Sequence, residues 1–118
     1  MENRLIAEFL GLKVDYDKTN DEHSINGIPL TCYNYNSSWD LLMPVAEKIE
    51  NLDLSNWYDE GNFMNVEVSI DTGHCNIYIQ LNYDPPHNIT GLSDYSVPKI
   101  ELLYSQVVKF IEWYNSKK

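Results

Sequence analysis

Apolar residues fall along this chain in two rhythms, one of about 3.6 residues and one of two. In ENRLIAEFLG, Leu5, Ile6, Phe9 and Leu10 draw one helical stripe, with Glu2 and Asn3 in its first turn and Gly11 as its stop. A second stripe runs through SSWDLLMPVAEKIE, where Trp39, Leu42, Val45, Ile49 and Leu52 recur at helical spacing and Ser37 or Ser38 suits the N-cap. Pro44 interrupts that segment. It brings no amide hydrogen to the Asp40 carbonyl four residues earlier, a small loss if regular helix begins at Asp40 and a kink if it begins at Ser38. The longest stripe starts near Val97 and takes Ile100, Leu103, Tyr104, Val107, Ile111 and Tyr114, with Ser96 as N-cap and Pro98 in the first turn.

The rhythm of two is clearest in FMNVEVSIDTGHCNIYIQLNY. Met64, Val66, Val68 and Ile70 share one face, as do Cys75, Ile77, Ile79 and Leu81. A turn at Thr72-Gly73 pairs Ile70 with Cys75, Val68 with Ile77 and Val66 with Ile79, so pattern and register agree. The opposite face then holds Asn65, Glu67, Ser69 and Asp71 beside His74, Asn76, Tyr78 and Gln80. One wet face is ordinary for an antiparallel sheet; a flat row of hydrogen-bonding side chains is also a candidate recognition surface. Elsewhere the pattern is weaker. KVDYDKTNDEHSINGIPL reads as a short strand and then a loop, LTCYNYN as a strand or sheet edge, and NLDLSNWYDEGN and DPPHNITGLSDYSVP as loops. With no repeat or linker, residues 1–118 form one α+β domain, a small antiparallel sheet with a central β-hairpin packed by three amphipathic helices.

Composition adds one strong fact. The 118 residues are 43% hydrophobic and 22% charged, which is globular, but the 18 acidic residues outnumber 8 basic ones for a net charge of -10. Such a chain is repelled by nucleic-acid phosphates and anionic lipid and drawn to basic protein surfaces, although acidity also serves solubility. Cys32 and Cys75 stand alone among apolar neighbours and read as buried free thiols of a reducing compartment. MENRLIAEFLGLK lacks the character of a signal peptide, and no run approaches the ~20 apolar residues of a membrane span. A cytoplasmic location is the expectation.

No catalytic or cofactor motif is present, and no enzymatic activity, metal or cofactor is expected. Asp15, Asp17 and Thr19 imitate the first ligands of a calcium loop, but Asn20 stands where the turn needs glycine and Asn26 where the bidentate acid belongs. Asp71 and His74 face each other across the hairpin turn as an ordinary cross-strand pair, without a nucleophile motif. His23 and His87 fall in polar loops without spaced partners. The carboxylates group differently: Asp15, Asp17, Asp21 and Glu22; then Glu47, Glu50 and Asp53; then Asp59 and Glu60. Carboxylates at surface spacing stand in for phosphates before a partner's arginines. These residues except Asp53, with Glu67 and Tyr78 on the polar sheet face, are the candidate partner-contact set.

SWDLLMPVAEKIE, NRLIAEFLGLK and KIELLYSQVVKFIEWYN together resemble the blocks of small proteins of Bacteroidetes and their phages known as the phage ABA-sandwich domain. The first block is the most specific, and Pro44 belongs to it; the other two mostly encode amphipathic helices. The resemblance implies α-β-α layering and a phage or prophage origin, and brings no catalytic residues. Joined to the charge, it leads to the expectation of a non-enzymatic accessory protein. Its target would be a basic host protein or nucleoprotein, an anti-CRISPR-like inhibitor of a nucleic-acid-handling defence complex. Two alternatives are a protein that sequesters a signalling nucleotide and a module that oligomerises through the Tyr78 face or an edge strand near Tyr33 and Tyr35.

Overall fold

Strands β4 (Phe63–Asp71) and β5 (His74–Leu81) pair antiparallel in the register that the alternation dictates, with Val66 opposite Ile79, Val68 opposite Ile77 and Ile70 opposite Cys75. The computed structural model describes residues 2–117. Gly73, at φ +78, makes the turn, and the Tyr95 ring lies so close above it that a Cβ has no room. A third strand, β6 (His87–Ser93), adds to the far side of β5, giving the order β4-β5-β6.

Val66, Cys75, Ile77 and Ile79 are buried on one face of this sheet. Helices α2 (Trp39–Glu50) and α3 (Lys99–Ser116) lie against that face, and α1 (Glu2–Phe9) packs on α3. Leu42, Val45 and Ile49 come from α2, Leu103, Val107, Phe110 and Ile111 from α3, and Ile6 from α1. Each such side chain contributes about 1.5–3 kcal/mol on burial. The shortest dimension, 21 Å, fits one layer of helices on one layer of strands at about 10 Å each. The other face of the sheet stays polar.

A second, smaller sheet precedes α2. Strands β1 (Asp15–Asp17), β2 (Glu22–Ile25) and β3 (Ile28–Pro29) form an antiparallel meander. Only Ala7, Ile25 and Leu30 are buried in its cluster. The fold is therefore α+β, with three α-helices and two three-stranded antiparallel sheets among the described residues.

Several expectations need correction. The stretch read as a strand and a loop holds all of β1–β3, because Asn26 and Gly27, at φ +52 and +80, turn the chain tightly between paired Ile25 and Ile28. LTCYNYN is not a strand: Leu30–Cys32 is a 3₁₀ turn, and Tyr35 is buried in the main core. An edge strand at Tyr33 and Tyr35 therefore does not exist. The stretch from Asp84 to Pro98 is not all loop, since it contains β6. Met64 is 52% exposed, because an irregularity between Phe63 and Asn65 sets Phe63, not Met64, opposite Leu81. Trp39, at the start of α2, is exposed rather than core. Cys32 is exposed and Cys75 buried.

The helix ends also differ in detail. Ser38 takes the N-cap position of α2 with an extended backbone but without a side-chain cap bond. The amides of Leu41 and Leu42 donate to its carbonyl, so regular helix starts before Asp40 and Pro44 falls inside it. Pro44 lies on the exposed side, where water can serve the Asp40 carbonyl. Ser96 does not cap α3, which begins after Pro98; its amide and hydroxyl donate to Asp94 Oδ1 at 2.9 and 2.6 Å. Those two bonds, the hydroxyl's first, hold the Asp94 carboxyl below its usual range.

Candidate partner-binding surface

The polar face of the large sheet is assembled from alternate positions of three strands. Glu67 and Ser69 come from β4, Asn76, Tyr78 and Gln80 from β5, and Asn88 from β6. Tyr78 sits at the middle, opposite Glu67 on one side and Asn88 on the other. Ser69, Asn76, Tyr78, Gln80, Pro86 and Asn88 border a shallow basin of about 440 Å³. Asn76 donates to Asn88 Oδ1 at a long 3.4 Å, so most of the amide capacity in this row faces outward. Gly91, opposite Asn76, keeps the floor low at the β6 side.

At the turn end, His74 is held through both ring nitrogens, Nδ1 with Ser93 Oγ and Nε2 with Tyr95 OH, each at 2.7 Å. Asp71 is its cross-strand neighbour as expected, but the Asp71 carboxylate accepts from the Thr72 amide at 2.8 Å. An imidazole beside a serine hydroxyl is one part of nucleophilic catalysis; the others are a group orienting the imidazole and donors for an oxyanion. Here the second ring nitrogen meets a phenol. The arrangement clamps the hairpin turn to the start of the β6–α3 connection.

The acidic candidates fall in three places. Asp15 and Asp17 are on β1, Glu22 on β2 and Asp21 in the turn between, all exposed. Asp17 and Glu22 face each other as a like-charged pair. Asp21, at φ +49, accepts the Tyr16 hydroxyl, and that bond pushes the Tyr16 phenol pKa up. Glu47 and Glu50 lie on the exposed side of α2, while Asp59 and Glu60 lie in the turn before β4. Glu50 reaches the sheet and accepts the Val68 amide at 3.3 Å. The C-terminal end of α2 therefore reaches the β4 edge from the apolar side of the sheet, while Glu67 points to the polar side. The β1–β2 group stays on its own small sheet. Asp53 accepts from Ser55 at 3.0 Å and is held below its usual range by the hydroxyl and amide of that serine.

Among the described residues, only Glu8 and Asp15 of the 18 acidic residues lie within ion-pair distance of a cation, Arg4 at 3.3 Å and Lys13 at 3.7 Å. Several of the others accept hydrogen bonds within the chain, Asp17, Asp21, Glu50 and Asp94 among them, without a cation to offset their charge. Among the same residues, no group of three or more His, Cys, Asp or Glu side chains is placed to hold a metal ion, and no helix is long and apolar enough to cross a membrane.

The sequence reading missed Asn88, Gly91, Ser93 and Tyr95, all carried by β6 or its exit. Ile89 and Thr90 were the available signal for a strand there, but Gly91 and the preceding Pro85-Pro86 outweigh them in a propensity reading. His23 and His87 also have partners: Arg4 Nη1 meets His23 Nε2 at 3.3 Å, and Tyr58 OH meets His87 Nδ1 at 3.0 Å. No protein-family model matches this chain, and neither a curated protein nor a solved structure matches it.

Proposed function

We propose that this protein acts by binding rather than by catalysis, presenting carboxylates and the polar sheet face to a basic protein. The observation that carries this reading is the imbalance of charge pairing: carboxylates cover the surface, and two ion pairs are formed within the described chain. The partner is a protein whose cationic groove ordinarily holds nucleic-acid phosphates, which Glu47, Glu50, Asp59, Glu60 and Glu67 replace. Tyr78, half-buried at the middle of the polar face, supplies contact area and a hydroxyl at little entropic cost.

The biological setting proposed is a phage or prophage protein that blocks a host nucleic-acid-handling defence complex, in the manner of an anti-CRISPR protein. Its supports are the charge and the resemblance of the three sequence blocks to the phage ABA-sandwich domain. On this reading the helices form one layer, and a partner seated on the polar face completes the second covering of the sheet.

The test is binding to purified CRISPR effector complexes over a salt series, with calorimetry against a panel of nucleotides alongside. Affinity should fall about tenfold or more between about 50 and 200 mM salt, as screening shortens the reach of exposed charges. Glu67→Lys and Glu47→Lys should each weaken it, and added DNA should compete. Nucleotide binding without effector binding would overturn the proposal in favour of sequestration.

A further inference from the structure

The large sheet has two edges, and they are treated differently. At β4, the Val68 amide points away from β5 and donates to Glu50 Oε2. Glu50, Glu67 and Asp71 also make that edge anionic, so a second copy arriving there meets its own charge. β6 has no carboxylate along its length: its one irregularity lies between Asn88 and Thr90, away from Leu92, and Asp94 comes after its last residue with its carboxylate tied to Ser96. The Asp94 amide donates to the Gly73 carbonyl at 2.8 Å, which fixes the alternation along the strand. Thr90 and Leu92 then turn their main-chain groups toward Ile77 and Cys75, while Gly91 and Ser93 turn theirs outward past the last strand. The strand HNITGLS carries no Asp, Glu, Lys or Arg, in a chain of net charge -10. Leu92 stands on this rim 38% exposed.

We propose that β6 pairs antiparallel with β6 of a second copy, about a two-fold axis at Leu92. The argument is self-complementarity. An isologous contact sets a surface against itself, so it must be neutral and must match donors to acceptors under two-fold rotation. With the axis at Leu92, Gly91 of each copy faces Ser93 of the other, and each such pair exchanges both main-chain hydrogen bonds. Leu92 meets its own symmetry mate at the close, non-hydrogen-bonded position, which covers an apolar side chain otherwise left at the rim. Two three-stranded sheets become one continuous sheet, and the polar row of Tyr78, Asn76 and Asn88 runs on across the axis. The dimer needs no external partner, so its failure and the failure of the binding reading are separate results.

Sedimentation velocity of the full chain over a wide concentration range tests it. The mass should rise toward twice that of one chain. Leu92→Lys, which sets like charges together on the axis, and Gly91→Pro, which removes an outward amide and spares the bonds to β5, should each weaken association tenfold or more. Glu50→Gln, on the other edge, should leave it unchanged. In a background of Cys32→Ser and Cys75→Ala, which removes the thiol paired with position 92 across β5, Leu92→Cys should form an intermolecular disulfide on mild oxidation, because close antiparallel pairs lie within disulfide reach. A wild-type chain that stays monomeric at its highest concentration overturns the proposal. So does a dimer that survives both β6 substitutions, or a Leu92→Cys chain that does not cross-link.

Discussion

The two three-stranded sheets are held by different forces. The β4–β6 sheet places Val66, Cys75, Ile77 and Ile79 under two helices, and its shape follows from what it buries. The β1–β3 sheet buries one strand side chain, Ile25, and β1 is exposed throughout. Its shape comes from turns instead: Asp17 accepts from the Thr19 amide and from Asn20, each at 2.9 Å, and Asp21, Asn26 and Gly27 adopt positive φ. Tyr16 and His23 add a tilted ring contact at 4.8 Å. A sheet with an apolar face is written in alternation; a sheet without one is written in turn chemistry.

The largest expected effect tests whether the two sheets are one cooperative unit. Ile77→Ala removes a fully buried side chain under α3 and should cost about 2–5 kcal/mol in denaturant unfolding. Ile25→Ala, in a cluster of three buried residues that can collapse around the loss, should cost about 2 kcal/mol or less. Hydrogen exchange should show β1–β3 amides exchanging well before those of β5. Equal costs for the two substitutions would break the comparison, because the small sheet would then share the stability of the large one.

Glycine turns give the next contrast. Gly27 has positive φ and open space where a Cβ would lie, so Gly27→Ala should cost about 1 kcal/mol from backbone conformation alone. Gly73 has the same conformation beneath the Tyr95 ring, and Gly73→Ala should cost about 1 kcal/mol more because the ring must move. In a Tyr95→Ala background that excess should vanish. An excess that persists would place the crowding elsewhere in the turn.

A smaller effect of opposite sign is expected beneath the large sheet. Gln106 is fully buried on α3, its amide nitrogen meets Ser105 Oγ at 3.1 Å, and its Oε1 has no partner among the described residues. An unpaired buried carbonyl carries a desolvation cost with no bond in return. Gln106→Met, similar in length and apolar, should therefore stabilise the protein by about 1 kcal/mol. Destabilisation would indicate that the oxygen is bonded in solution, to buried water in the first instance.

These contrasts also mark what was legible in the sequence. From Val66 to Ile79 the β4–β5 register could be read to the residue, because a one-position slip would turn Val66, Ile77 and Ile79 into water; the irregularity that exposes Met64 lies outside that span. The three helices were legible for the same reason, with Gly11 ending the first at φ +81. The β1–β3 meander was hidden although Asn26-Gly27 is a strong hairpin signal, since its flanking strands have no alternation to confirm it. β6 was hidden because only Thr90 on it is buried, and Gly91 and Leu92 owe their strand conformation to β5 beside them. The polar face was legible as a row of residues. Its third strand, and the turning of Glu50 toward Val68, were not, because both depend on contacts distant in sequence.

The two cysteines report on the same pair of regions. Cys32 follows the small sheet and is exposed, whereas Cys75 is buried on the middle strand of the large sheet, on its apolar face near the hairpin turn. Burial pushes the Cys75 thiol from its ordinary 9.0 up to about 11, since the thiolate loses its hydration there. A thiol reagent near neutral pH should therefore modify one cysteine rapidly and the second only as the protein unfolds. A folded-state pKa above the unfolded value means the native state holds the proton more tightly. The stability this contributes is present below about pH 9 and is lost as pH rises through about 11. Unfolding midpoints should fall across that window, and Cys75→Ala should remove this part of the fall while keeping the part shared with the tyrosines. If Cys75 reacted as fast as Cys32 in the native state, β5 would be opening locally, and the large sheet would lose its place as the stable half of the molecule.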